Sequence, residues 1–202
     1  MRNIHMNSTS DRFYNTFGFF YPVIDLFLQP QKRKLFNKIN RLPFGKLLEV
    51  GTGNGSHFKY YKTHAITGID TSKRMLQTAQ KHAGSNIQLL QMNGEKLHFK
   101  NESFEYVVLS HVIAVVEHPE QLLLEVNRVL KPNGKIFILN HFTPNNGLQY
   151  VDKAFKSISN KLHFNAVFHA NQLQELRKFN LLQEINAGFF SYFKIMIYEK
   201  TA

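Results

Sequence analysis

The sequence predicts an α/β fold, a single domain on a mostly parallel, seven-stranded sheet with helices on both faces and an antiparallel hairpin at its C-terminal end. Three observations predict it. Short apolar runs rich in Val, Ile, Leu and Phe recur from Lys46 onward, separated by longer mixed segments, as strands joined by helices are. The last two apolar runs are joined by only a few residues, which suits an antiparallel pair. A length of 202 residues fits one domain with a sizeable core.

Residues 1–45 carry Tyr14, Phe17, Phe19, Phe20, Tyr21, Phe27 and Phe36, too many aromatics for a disordered tail. This segment is expected to be helical, and either covers a sheet face or acts as a lid and membrane contact. Residues 46–202 are the expected core. Its parallel strands are predicted at 46–50, 65–69, 87–91, 104–109 and 135–140. Helices are predicted at 72–83 and 119–130. In the second, Leu122, Leu123, Val126, Val129 and Leu130 repeat at helical spacing, and Pro119 suits a first turn. Lys131-Pro132-Asn133-Gly134 then stops the helix and turns the chain into a strand. Further on come a turn at 143–147, helices at 148–160 and near 171–178, and strands at 181–187 and 192–199 joined by Gly188-Phe189-Phe190-Ser191.

Composition narrows the function. The chain has no Cys, which excludes disulfides, thiolate metal sites and cysteine nucleophiles. With 25 Lys+Arg against 14 Asp+Glu, the formal charge of +11 favours a polyanionic partner, a nucleic acid or an anionic membrane surface, or else leaves a basic solvated surface. No apolar run approaches the roughly 20 residues that span a bilayer, and residues 1–10 lack the apolar region of a signal peptide. A cytoplasmic protein, peripheral on the inner membrane face if it meets lipid, is expected.

The strongest chemical signal is Glu49-Val50-Gly51-Thr52-Gly53-Asn54-Gly55, a glycine loop at the end of an apolar strand and ahead of a stretch able to begin a helix. Side chains at Gly51, Gly53 or Gly55 would collide with a ligand or forbid the dihedrals of the loop. Asp70 ends the next apolar strand, where a carboxylate can accept both hydroxyls of a ribose. A dinucleotide site uses the same parts, but it wants a third glycine or alanine at Ser56, and Glu49 would repel a diphosphate. That carboxylate suits a ligand bearing an amino group and a sulfonium, so electrostatics favour S-adenosyl-L-methionine over a nicotinamide dinucleotide.

The sequence resembles the class I methyltransferases. Residues 48–55 match their first motif and Gly68-Ile69-Asp70-Thr71-Ser72 their second. The likeness continues through Met75-Leu76, through Asn93-Gly94-Glu95-Lys96-Leu97-His98-Phe99, where the family usually has Asp-Ala-Glu-x-Leu-Pro-Phe, and through Leu130-Lys131-Pro132-Asn133-Gly134-Lys135. It implies a Rossmann-like methyltransferase fold that converts S-adenosyl-L-methionine to S-adenosyl-L-homocysteine. The cofactor residues it implies are Glu49, Gly51, Thr52, Gly53, Gly55, Asp70, Thr71, Met75, Asn93, Gly94, Glu95 and Ser110, with Asn93 on the adenine amino group. Asn in place of Asp keeps a carbonyl acceptor and drops the charge.

For the acceptor, His111 and His141 follow the fourth and fifth strands, at the carboxyl ends where open α/β sheets place ligands, and either could take a proton from an amine. Each could equally be a structural hydrogen-bonding group. Asn140-His141-Phe142 resembles the Asn-His-Phe ending the fifth strand of bacterial, Rhodobacter-type phosphatidylethanolamine N-methyltransferases. Tyr21-Pro22-Val23-Ile24-Asp25 resembles their N-terminal Ala-Pro-Val-Tyr-Asp, with Ile24 departing from a tyrosine, and residues 188–193 resemble their closing hairpin. Tyr14 and Tyr21 could supply a phenol or a cation–π surface for a methylated ammonium. Leu148, Val151, Phe155, Ile158 and Leu162 fall on one helical face, with Lys153, Lys156 and Lys161 elsewhere, as in a helix at an anionic interface or an ordinary core-packed helix. The expected acceptor is a phospholipid or another small molecule. The rivals are C- or O-methylation of a quinone precursor, RNA methylation, which lacks an Asn-Pro-Pro-Tyr-like motif, and a non-catalytic cofactor-binding subunit.

Overall fold

The structure, a computed structural model, describes residues 21–141, 173–187 and 193–201, with the backbone alone for 21–29 and 141. Its elements are helix α1 (Tyr21–Ile39), strand β1 (Lys46–Val50), a 3-10 turn (Phe58–Tyr60), β2 (Ala65–Asp70), α2 (Lys73–Ala79), β3 (Ile87–Gln91), β4 (Phe104–Ser110), α3 (Pro119–Val129), β5 (Leu130–His141), a second 3-10 turn (Glu175–Lys178), β6 (Phe179–Ala187) and β7 (Phe193–Lys200). The seven strands form one sheet in the order β3-β2-β1-β4-β5-β7-β6. The first five are parallel, and β7 pairs antiparallel with both β5 and β6. The mostly parallel sheet and its C-terminal hairpin are as the sequence predicts.

Strand alternation sorts the core into two layers. Leu48, Val50, Val107, Leu109, Ile136 and Ile138 pack with Leu122, Leu123, Val126 and Val129 of α3. Leu47, Val108, Phe137, Leu139 and Ile195 pack with Leu35, Phe36 and Ile39 of α1. The C-terminal half of α1 therefore covers a sheet face. The chain runs outward from β1 through β2 to β3, then returns to β4 on the other side of β1. This reversal puts the switch point at the carboxyl ends of β1 and β4, where such sheets bind ligands.

Four elements differ from expectation. The glycine loop opens into a single 3-10 turn, because Tyr61 adopts an extended conformation directly after it. Asn40 at the end of α1 holds that geometry, its amide donating to the Tyr60 carbonyl and accepting from the Lys62 N–H. Helix α2 stops at Ala79, since Lys81 and His82 donate to carbonyls three residues back and tighten the chain before Gly84. Strand β5 starts at Leu130, which pairs with Phe104; the Lys131–Gly134 turn is a bulge inside it, with Asn133 at φ 60°, and pairing resumes at Tyr106 and Lys135. The helix expected near 171–178 is a 3-10 turn from Glu175, whose start is held by Glu120 accepting the Gln174 and Glu175 N–H groups. The turn at 143–147, the amphipathic stretch 148–162 and the 188–191 connection lie outside the described residues.

Candidate cofactor and acceptor site

The glycine loop is tied down from β2. Gly51 and Thr52 both donate to the Ile69 carbonyl, at 2.8 and 3.1 Å. Gly51, Gly53 and Gly55 all have positive φ, a conformation costly for any residue with a Cβ. Two are also sterically obligatory. A Cβ on Gly51 would lie 2.5 Å from Val112 Cγ2, and one on Gly55 would lie 2.9 Å from the Ala79 backbone. The loop thus packs between the segment after β4 and helix α2.

Asp70 is 4% exposed and organises this crossing. Its Oδ2 accepts the Gly53 N–H at 2.8 Å and its Oδ1 accepts the Ser72 N–H at 2.9 Å. Ser72 in turn caps α2, its hydroxyl accepting the Met75 N–H. Thr71 and Met75 are therefore fixed through the same carboxylate. Since a carboxylate has about four acceptor positions, ribose hydroxyls can share it with these amides.

Glu49 occupies a different place from a ligand-facing acid. Alternation along β1 puts it on the same face as Leu47, towards α1, and it is fully buried. Oε2 accepts the Tyr61 hydroxyl at 3.0 Å, and Oε1 lies 2.7 Å from His57 Nε2, which approaches off its N–H axis. Phe36 of α1 stacks on the His57 ring at 5.3 Å and meets Tyr61 edge-on at 4.6 Å. Burial, and then the neighbouring Glu49 charge, hold the Tyr61 hydroxyl well above the ordinary phenol range. His57 and Tyr61 are partners of Glu49 that sequence reasoning missed. The available signal was Glu49 itself, an acid in an apolar strand that must find buried partners.

After β3, Asn93 makes a local turn, its Oδ1 accepting the Glu95 N–H at 2.9 Å. Glu95 Oε1 accepts the His118 N–H just ahead of α3. Gly94 is buried where a Cβ would come 2.7 Å from Val50 Cγ1 and 3.0 Å from Leu122 Cδ1. These contacts set the loop beside the end of β1.

At the ends of β4 and β5, Ser110 pairs with Leu139, and the His111 N–H donates to the Leu139 carbonyl at 2.7 Å. His111 adopts φ 60°, and its ring meets Phe193 edge-on at 5.8 Å. The left-handed conformation costs a residue with a Cβ about 1–2 kcal/mol, so relief of that strain by glycine offsets the loss of the ring's packing on Phe193. His111→Gly is expected to keep its melting temperature within a few degrees of the parent while methyl transfer falls at least about 100-fold, the scale of a lost general base. Calorimetric melting beside a turnover assay checks this, and retained turnover would leave His111 a structural role only. The backbone of His141 lies at the end of β5, opposite Phe193. The side chains of His141 and Tyr21, and Tyr14 altogether, lie outside the described residues.

The chain fits an adenosyl cofactor on two counts: glycines whose Cβ atoms have no room, and a buried Asp70 joining the loop to β2. Thr52 Oγ1 and Ser110 Oγ, buried and without a partner at the same edge, add polar groups that a ligand could engage. Residues 48–138 match the methyltransferase-domain family model. The phosphatidylethanolamine N-methyltransferase of Cereibacter sphaeroides is 35% identical over 131 residues, covering 61% of this chain and 64% of that protein. A ubiquinone/menaquinone biosynthesis C-methyltransferase of Desulfotalea psychrophila is 32% identical over 111 residues, covering 52% and 45%. The chain therefore spans between about half and two thirds of the length of these curated relatives. A solved S-adenosylmethionine-dependent methyltransferase from Thermotoga maritima superposes with a TM-score of 0.70 at 22% identity, covering 98% of this chain and 100% of that one, a likeness of fold. Sheet order, glycine cradle and the match over residues 48–138 agree on a likeness to S-adenosylmethionine-dependent methyltransferases.

Proposed function

We propose that the chain transfers methyl groups to the amino headgroup of phosphatidylethanolamine and its methylated derivatives, at an anionic membrane surface that it visits without spanning. The 35% identity to the Cereibacter enzyme carries this reading. It is supported by the formal charge of +11, which attracts anionic lipid, and by the absence of any helix long and apolar enough to cross a membrane among the described residues. The Desulfotalea relative favours a second reading, C-methylation of a quinone precursor, which would use the same cradle.

Bound in the glycine loop with its ribose on Asp70, S-adenosylmethionine supplies a methyl group already activated on a sulfonium. The protein's task is alignment and exclusion of water. Thr52, Thr71, Met75, Asn93, Gly94, Glu95 and Ser110 would contact the cofactor from the segments that follow β1, β2 and β3 and from the end of β4. An ammonium acceptor must lose a proton before its lone pair can attack, and His111 or His141 would receive that proton at the β4–β5 edge. Tyr14 and Tyr21 could supply a phenol or a cation–π surface for the methylated ammonium.

Radiolabelled S-adenosylmethionine offered separately with phosphatidylethanolamine liposomes, a quinone precursor and total RNA tests the assignment. Label is expected in phospholipid. Its absence there, or its appearance in the quinone alone, would overturn the lipid reading.

A further inference from the structure

Asn140 sits one residue before the end of β5, on the face shared with Ile136 and Ile138, and is 1% exposed. Neither its Oδ1 nor its Nδ2 has a hydrogen-bond partner. Its neighbours explain the isolation without relieving it. Lys194, its register partner on β7, binds Glu184, and the backbone beside it is engaged, with the Leu139 carbonyl accepting from His111. Two orphaned polar atoms in one buried side chain are unusual, because each forfeits its hydration with no return. Thr52 Oγ1 and Ser110 Oγ, at the ends of β1 and β4, are orphaned at the same carboxyl edge.

An empty carboxamide offers one acceptor and one donor side by side, whichever way the amide is turned. Its complement is a group presenting an N–H and an anionic oxygen close together. A phosphoethanolamine headgroup has both, an amine and a phosphodiester two carbons apart. We propose that Asn140 is an acceptor-binding residue whose Oδ1 takes an N–H of the headgroup amine while its Nδ2 donates to a phosphate oxygen. This rests on the lipid reading above and adds the residue that selects the amine. A buried position makes each of these bonds stronger than it would be in solvent.

The chemistry supplies a graded test. The neutral amine of phosphatidylethanolamine has two N–H bonds, the monomethyl lipid one and the dimethyl lipid none, so the Oδ1 contact exists only for the first two transfers. Asn140→Leu keeps the volume and removes both polar atoms. Because the neutral amine is the attacking form, it is expected to lower kcat/KM for phosphatidylethanolamine and monomethyl-phosphatidylethanolamine at least about tenfold in mixed micelles, and to affect the dimethyl lipid several-fold less. Affinity for S-adenosylhomocysteine should stay within about threefold, and melting temperature should hold or rise because an unsatisfied amide is gone. Asn140→Asp should recover binding of the amine better than Asn140→Leu. Equal losses on all three lipids, or no loss on any, would overturn the assignment to Asn140 and leave the substrate reading standing. No transfer to any of the three by the unaltered chain would overturn both.

Discussion

Replacing Asp70 with alanine is expected to abolish measurable binding of S-adenosylhomocysteine and to lower stability by about 2–4 kcal/mol. The two effects share one cause. The carboxylate accepts the Gly53 and Ser72 N–H groups, both of which the substitution would leave unsatisfied in a buried crossing, at about 1–2 kcal/mol each. Loss of the Gly53 bond frees a loop held in left-handed conformations, so the cradle would have to be re-formed on binding. Loss of charged hydrogen bonds to a ribose adds at least a further 100-fold in affinity by the usual size of such bonds. Asp70→Asn separates the parts, since one oxygen remains to accept an amide while the charge is gone. It should recover at least half of the lost stability and little of the affinity. Titration calorimetry and chemical denaturation measure both, and native affinity in a folded Asp70→Ala protein would remove this residue from the cofactor site.

The contrast between Asp70 and Glu49 shows what the sequence made legible. Asp70 was readable because its position at the end of β2, the next strand after the glycine loop, is a consequence of chain order. Its second task, fastening Gly53 to the start of α2, depends on how the loop folds back and leaves no mark in spacing. Glu49 was read from its neighbours as an acid ahead of glycines, suited to a cationic ligand. Period-two alternation already places it with Leu47, opposite Leu48 and Val50, and so towards α1. Its partners His57 and Tyr61 come from an aromatic run that a helical reading of the post-glycine segment spreads around a helix. Only the extended Tyr61 delivers its hydroxyl to the carboxylate. Parallel strands were legible to within a residue because buried strands are continuous apolar runs. The start of β5 was not, since Lys131-Pro132-Asn133-Gly134 is a stop signal locally and a bulge once Leu130 finds Phe104.

Glu49→Ala is expected to cost about 3–5 kcal/mol, because it leaves the Tyr61 hydroxyl unsatisfied and opens a cavity beside the buried His57 ring. Against a typical 5–15 kcal/mol for a whole domain, that threatens folding, so Glu49→Gln is the informative variant. It preserves volume and one oxygen, and should lose less stability while leaving S-adenosylhomocysteine affinity within about threefold. A carboxylate that met the ligand's ammonium directly would instead cost tenfold or more in affinity when neutralised. The pH dependence gives a second handle. Because burial and Glu49 raise the Tyr61 hydroxyl above its unfolded value near 10, its contribution to stability is complete below about pH 10 and is lost as pH rises past that point. Tyr61→Phe lacks this titration. Its deficit relative to the parent should be greatest at neutral pH, where the Glu49 bond is intact, and should shrink in alkaline urea denaturation. A deficit that stayed constant to pH 11 would mean that Tyr61 does not hold Glu49 through its hydroxyl, and that the loop is supported from α1 by packing of Phe36 alone.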